Sequence, residues 1–300
     1  MTEDHKICLL TAVAAIASDN EKDIINIATG LPAKDWASVS KREDFKEYMF
    51  PNGDVTISIK NNSSSPIHKK TFTIKTVQRA DEQVKNCFAF AESAGALFMD
   101  GVVETLSPTS LVAVIDMGNL NLNATFWQGR ELVQDKSITA ELGGAILIQE
   151  IAQEISTRVT YCDDMLAATI LKERNSSADF LEPYNLSEEQ KKEIYSIVEK
   201  ARRDHVQKIK RVCKARNWPL ELIKIVAIGG TCEDLEDILK EEFNNIVVVE
   251  DATFCNVLGY LRMMCIKENV LNELIPLDKK SASKPQSKTE TTEIKAEKAS

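Results

Sequence analysis

The sequence predicts an α/β fold, and three stretches carry that prediction. Residues 111–115 are five apolar side chains in a row leading to Asp116 and the turn Met117-Gly118-Asn119, as in a buried strand that delivers a carboxylate to the lip of a sheet. Residues 223–228 repeat the pattern and end in Gly229-Gly230-Thr231, with a helix over 232–243 directly behind. Strand, glycine turn and helix make half of a βαβ unit, and ligands of such sheets bind beyond the carboxyl ends of the strands. Between these two, Leu120, Leu122, Ala124 and Phe126 alternate with Asn121, Asn123 and Thr125, so a half-buried strand returns beside the first.

Taken in order, residues 6–17 read as a buried helix already under way. Residues 23–28 read as a strand stopped by Thr29-Gly30-Leu31-Pro32, and Ser40 as the cap of a short helix through Tyr48. Residues 55–59 and 71–77 alternate on either side of a polar loop, 61–70, and predict a hairpin. The run 87–90 leads into AESAGALF, 91–98, where Ser93 is the expected N-cap and Glu92 stands just outside a helix start. From the residues alone, Glu92 is a carboxylate favoured by the helix dipole.

Gln128-Gly129 turns the chain again before Leu132-Val133, and Gly143-Gly144 precede a helix whose inner face is Ile148, Ile151, Ala152 and Ile155. Bare glycines at a helix start leave amides pointing outward, which attracts phosphate. Asp163 is the expected cap of the next helix, and 175–185 a loop. Ser187 and Gln190 form a capping box that opens a long helix to Arg216. Its stripe of Ile194, Val198, Ala201, His205, Ile209 and Val212 reads as core, with His205 a satisfied or boundary histidine. Thr231 is the expected cap of the helix over 232–243, with Asp234 as a weaker capping-box partner. Residues 246–249 supply the next strand. The last helix, 251–267, should turn Phe254, Val257, Leu258 and Leu261 inward. Gly259 inside it costs about 1 kcal/mol against alanine, which implies close packing against another backbone. Residues 278–300, without an aromatic and mostly Lys, Ser, Thr and Glu, should be disordered.

Three hundred residues, 43% hydrophobic and 28% charged, suit a soluble protein of about two domains. No apolar run approaches the ~18 residues that span a bilayer, and no secretory signal opens the chain, so a cytoplasmic location without membrane contact is the expectation. The seven cysteines contain no C-x-x-C and read as reduced core thiols rather than a zinc site. Net charge is −9, and the segment after residue 277 holds six lysines against four acids. The rest is therefore still more acidic, which argues against direct binding to nucleic acid, since phosphate contacts need clustered cations.

Glu92 before a helix, Asp116 at a bend with Gly143-Gly144 beyond it, and Gly229-Gly230 before another helix stand in a fixed order. With IINIATGLP (24–32), AESAGALF (91–98), VIDMGNLNLNATF (114–126), ITAELGGAIL (138–147), IVAIGGTCEDL (225–235) and NVLGYL (256–261), the chain resembles the actin-like ATPases. The likeness is greatest to the bacterial ParM and StbA type of plasmid-segregation proteins, and it runs from Lys6 to about Leu277. It implies an actin-like (ribonuclease H-like) two-domain fold. The first domain would be 1–107, with 254–277 returning to it, and the second 108–253, followed by the tail.

The resemblance also implies ATP and magnesium as ligands and an ATPase activity. Asp116 would hold the magnesium through its water shell, and Gly118 and Asn119 would let backbone amides approach the phosphates. Glu92 would orient the attacking water. Gly143 and Gly144 would lie close to the nucleotide, while Gly229, Gly230 and Thr231 would border the adenosine. Lys172 and Glu173 are candidates to line the base. The helix after Glu92 and the helix containing Gly259 would be the two crossings between domains. The implied partners are further copies of the chain, in a filament, and a DNA-binding adaptor of the ParR type.

Family members begin with a strand and a glycine-containing hairpin that carries another aspartate, and neither precedes Lys6 here. The chain therefore reads as an N-terminally shortened member. Each hydrogen bond to a charged group contributes about 1.5–3 kcal/mol, so losing roughly three phosphate contacts would lower affinity by about 10³–10⁶. That counts against hydrolysis by this polypeptide alone. Two other readings stand beside the segregation ATPase: a pseudo-ATPase that binds filaments of a complete paralogue, and a non-polymerising ATPase of the same fold.

Overall fold

The computed structural model describes residues 3–17, 25–50, 52–59, 68–74, 76–79, 82–85, 87–129, 131–176 and 181–267. The described residues up to 264 form one compact unit. The expected disordered tail, 278–300, lies outside the described residues, as do the start of the first expected strand and most of the loop 61–70.

The chain runs α1 (Glu3–Ile16), β1 (Ile27–Leu31), α2 (Ala33–Trp36), α3 (Val39–Met49), β2 (Gly53–Ile59), β3 (His68–Ile74), β4 (Thr76–Arg79), β5 (Glu82–Lys85) and β6 (Cys87–Ala91). It continues through β7 (Leu111–Met117), β8 (Leu122–Gln128), β9 (Glu131–Leu132), β10 (Ile138–Ala140), α4 (Gly144–Arg158), α5 (Asp164–Glu173) and α6 (Glu188–Ala215). Last come β11 (Lys224–Ile228), α7 (Gly230–Glu242), β12 (Ile246–Val248) and α8 (Cys255–Lys267).

The larger sheet has the order β10-β8-β7-β11-β12, with β9 beside β8. The apolar runs explain its centre. β7 and β11 pair in parallel with Ile228 opposite Asp116, and Val112 to Ile115 and Ile225 to Ile228 are at most 1% exposed. A central strand covered on both faces has no polar side to show, so its sequence does not alternate. β8 does alternate at first, and pairs antiparallel with β7, placing Asn123 opposite Asp116. α4, α5, α6 and α7 pack their apolar faces on this sheet in one cluster built on Ile115, Leu147, Ile151, Ile155, Ile194 and Leu235. The smaller sheet pairs β1 and β6 in parallel. Leu10 of α1 and Phe45, Met49 and Phe50 of the α3 segment cover it together with Leu31 and Cys87.

Most expected helices form where the periodicity put them, and Asp163 caps α5 by accepting from Leu166 N at 2.8 Å. The capping box at Ser187 closes in both directions. Other expectations need correction. α1 is half-buried rather than buried: Leu10, Val13 and Ala14 face inward, but Ile7 and Ile16 are 51% and 70% exposed. α3 is capped by Ser38, not Ser40, whose hydroxyl instead donates to Asp44. Residues 94–98 form a 3-10 turn and not an α-helix, and Ser93 makes no cap bond. It adopts φ 67°, in the left-handed region, and its hydroxyl is drawn away to the Glu92 carbonyl and Thr125 Oγ1. Thr231 is likewise no cap. α7 starts one residue before it, and its hydroxyl donates to the Gly118 carbonyl at 3.1 Å. α8 begins at Cys255, and Phe254 and Val257 are exposed to 62% and 64%, so its inner face is Cys255 and Tyr260 instead. None of the seven cysteines is in a disulfide; Cys8 is exposed and the other six are buried.

Candidate functional site

The site grows from the end of β7. Parallel pairing carries β7 and β11 to the same level, so Asp116 and the Gly229-Gly230 turn emerge side by side. Gly229 has φ +95°, and a Cβ there would lie 2.5 Å from the Met117 carbonyl and 2.8 Å from Asp116 Oδ1. Only glycine combines that dihedral with that approach. Gly143 meets the same bend from the other side, where a Cβ would stand 2.3 Å from the Asn119 carbonyl. The Gly118 carbonyl is the common point, accepting from Gly144 N at 3.0 Å and from Thr231 Oγ1 at 3.1 Å. The three glycine turns, far apart in sequence, therefore converge on one place.

The start of α4 does not behave as expected. Its first amides are taken: Gly144 N by Gly118 O, Ala145 N by Asn119 O at 2.8 Å and Ile146 N by Gly143 O. A helix end whose donors are used by a neighbouring loop has nothing left for a phosphate. The Gly118 amide is engaged too, closing the bend on Asn121 O at 3.1 Å. At α7 the situation is the reverse. Its first two amides, Gly230 N and Thr231 N, bond to no backbone or side-chain group among the described residues. Gly230 lines a cavity of about 510 Å³ together with Lys172, Arg174, Asn175, Glu233, Asp234 and Thr253. Of the expected pair for the base, Lys172 lines it and Glu173 does not.

Glu92 comes from the end of β6, where its amide donates to Leu31 O at 2.8 Å. Its carboxylate accepts from Asn123 Nδ2 at 3.1 Å, and Asn123 Oδ1 in turn accepts from Thr139 at 3.1 Å. Asn123 thus ties Glu92 to the strand beside Asp116. Burial raises the Glu92 pKa above its ordinary value, and the negative charges of Asp116 and Asp35 add to that. Burial also raises Asp116, opposed by a hydrogen bond from Asn256 Nδ2 to Oδ2 at 2.7 Å. Two half-buried carboxylates, the charge of one raising the pKa of the other, are poised to receive a cation.

Sequence reasoning missed Asn256, Asn123 and Arg174. Asn123 was legible only as the polar side of a strand, and Asn256 lies 140 positions from its partner. No local pattern signals such a pairing. Among the described residues no group of three or more His, Cys, Asp or Glu side chains is placed to hold a metal ion. A magnesium ion suits what is present, because it keeps several waters and binds proteins through one or two carboxylates plus phosphate oxygens.

No protein-family model and no curated protein matches the sequence. Solved structures do. The archaeal actin homolog Ta0583 superposes with a TM-score of 0.66 at 14% identity, over 89% of this chain and 77% of that one. A non-polymerisable quadruple mutant of pCBH ParM gives 0.63 at 18%, over 88% and 75%. The Alp12 filament structure gives 0.62 at 15%, over 89% and 76%. Ta0583 is also solved in complex with ADP, matching with a TM-score of 0.54 at 16%, over 84% and 75%. The chain has an actin-like fold.

Proposed function

We propose that this protein binds a magnesium-bound adenine nucleotide in the cleft at the end of β7 and assembles with copies of itself into nucleotide-dependent filaments. The observation that carries the reading is the convergence of the Asp116 bend, the Gly143-Gly144 turn and the Gly229-Gly230-Thr231 turn on the Gly118 carbonyl, beside a second half-buried carboxylate, Glu92. The ADP complex of Ta0583 and the Alp12 filament support it. In this reading Asp116 orients the water shell of the magnesium ion, and the Gly230 amide at the start of α7 meets the nucleotide where the helix dipole favours negative charge. Asn119 and the Gly143-Gly144 turn border the phosphates, and Lys172 and Arg174 border the base. The magnesium supplies neutralisation of phosphate charge. Glu92, held by Asn123, accepts a hydrogen bond from the attacking water and aligns it, which is positioning work.

The two sheets, 1–107 with the returning α8 and 108–253, act as the two domains that nucleotide bridges. A ligand preferring the closed arrangement then favours the filament, and its hydrolysis weakens the contact. In a cell, the filaments would move plasmid DNA in the cytoplasm through a DNA-binding adaptor of the ParR type, since a net charge of −9 disfavours direct contact with DNA. Pelleting and light scattering with magnesium ATP test this, and a chain that stays monomeric at all nucleotide concentrations refutes it. One observation favours a second reading: the α4 amides are already occupied, so the phosphate contacts available are few. A non-hydrolysing relative that binds the filaments of a complete paralogue would co-sediment with them and show no turnover.

A further inference from the structure

Asn256 stands in the first turn of α8, and its Nδ2 donates to Asp116 Oδ2 at 2.7 Å. The amide orientation follows from its partner, because the flipped form would set one oxygen against another. That leaves Oδ1, which is buried and has no hydrogen-bond partner among the described residues. Buried carbonyl oxygens are nearly always satisfied, so an orphan beside a carboxylate marks a donor that comes with a ligand.

The residue is also held rigidly from behind. A Cβ on Gly95 would lie 2.5 Å from the Asn256 carbonyl, and one on Gly259 would lie 2.0 Å from the Gly95 carbonyl. The turn that follows Glu92 is therefore pressed directly onto the backbone of Asn256. One turn further on, Tyr260 donates to the Ala91 carbonyl at 3.2 Å. Asn256 thus joins the two: its backbone abuts the Glu92 turn and its side chain reaches Asp116.

We infer that Asn256 is a positioning residue of the cleft: its Nδ2 fixes the Asp116 carboxylate, and its buried Oδ1 accepts a hydrogen bond from the hydrated cation that Asp116 receives. This rests on the reading that the cleft takes a magnesium nucleotide. Residues behind a metal-binding group typically change metal affinity 10- to 100-fold when replaced.

The test measures binding of a fluorescent ATP analogue to the full chain in excess magnesium and again in EDTA. Two variants are compared with wild type. Asn256→Asp keeps the size of the side chain but removes the donor, and Asn256→Ala removes both polar groups without adding charge. Both should bind 10- to 100-fold more weakly in magnesium and as wild type does in EDTA. Variants that match wild type in both buffers, or that weaken equally in both, overturn the inference while leaving the nucleotide site standing. Wild type that binds in neither buffer overturns both. Should Asn256→Asp fail to fold, Asn256→Ala decides alone.

Discussion

Glu92 and Asp116 are held against their own chemistry. Burial raises both pKa values above ordinary carboxylate values of about 4, and the negative charges of Asp116 and Asp35 push Glu92 further the same way. The folded state therefore binds their protons more tightly than the unfolded state does. That advantage is complete below the ordinary values and is lost as pH rises through the raised folded ones, so at neutral pH the ionised pair weakens the fold. Glu92→Gln keeps the bond from Asn123 and removes the charge. It should raise the melting temperature of the ligand-free protein at pH 7 by a few degrees, since about 1 kcal/mol moves a domain of this size by about 2–4 °C. The gain should vanish near pH 4, as thermal melts across pH would show. Gly229→Ala should do the opposite at every pH. It forces a side chain onto the Met117 carbonyl at a positive φ, at a cost of about 1–3 kcal/mol or more, and it displaces Asp116.

At the scale of elements, contact between backbones decides more than propensity does. Gly259 was legible as a residue that a helix tolerates only for a packing reason, and the reason is Gly95, 164 positions away. Gly259→Ala would place a Cβ 2.0 Å from the Gly95 carbonyl oxygen, so the two backbones would have to move apart. It should destabilise by at least about 1–3 kcal/mol, measured by urea denaturation, although alanine is the better helix former. The caps teach the same point. At Ser187 the local pattern was sufficient, because both halves of the box lie within one turn, and Ser187→Ala should cost about 1 kcal/mol. Ser93 and Thr231 carry the same cap chemistry, yet Thr125 and the Gly118 carbonyl compete for their hydroxyls and win. α8 fails differently: its apolar residues run nearly all round, so periodicity alone gave no unique inner face.

At the scale of the molecule, a bound nucleotide is expected to stabilise a fold that the two half-buried carboxylates weaken. Magnesium ATP at about 100 times its Kd should raise stability by about 2.7 kcal/mol, visible as a shifted thermal midpoint, and Asp116→Ala should lose most of that shift. The sequence by itself determined the α/β class, the central strands β7 and β11, the long α6 and the glycine turns at their ends. Those features depend on neighbours within a few residues, where periodicity and turn chemistry act. Only the tertiary structure decided that the α4 amides are already satisfied while those of α7 stay open, that Ser93 and Thr231 bond away from their helices, and that Asn256 reaches Asp116. Each is a competition between a local partner and a distant one, and distance along the chain carries no record of which group the fold brings within 3 Å.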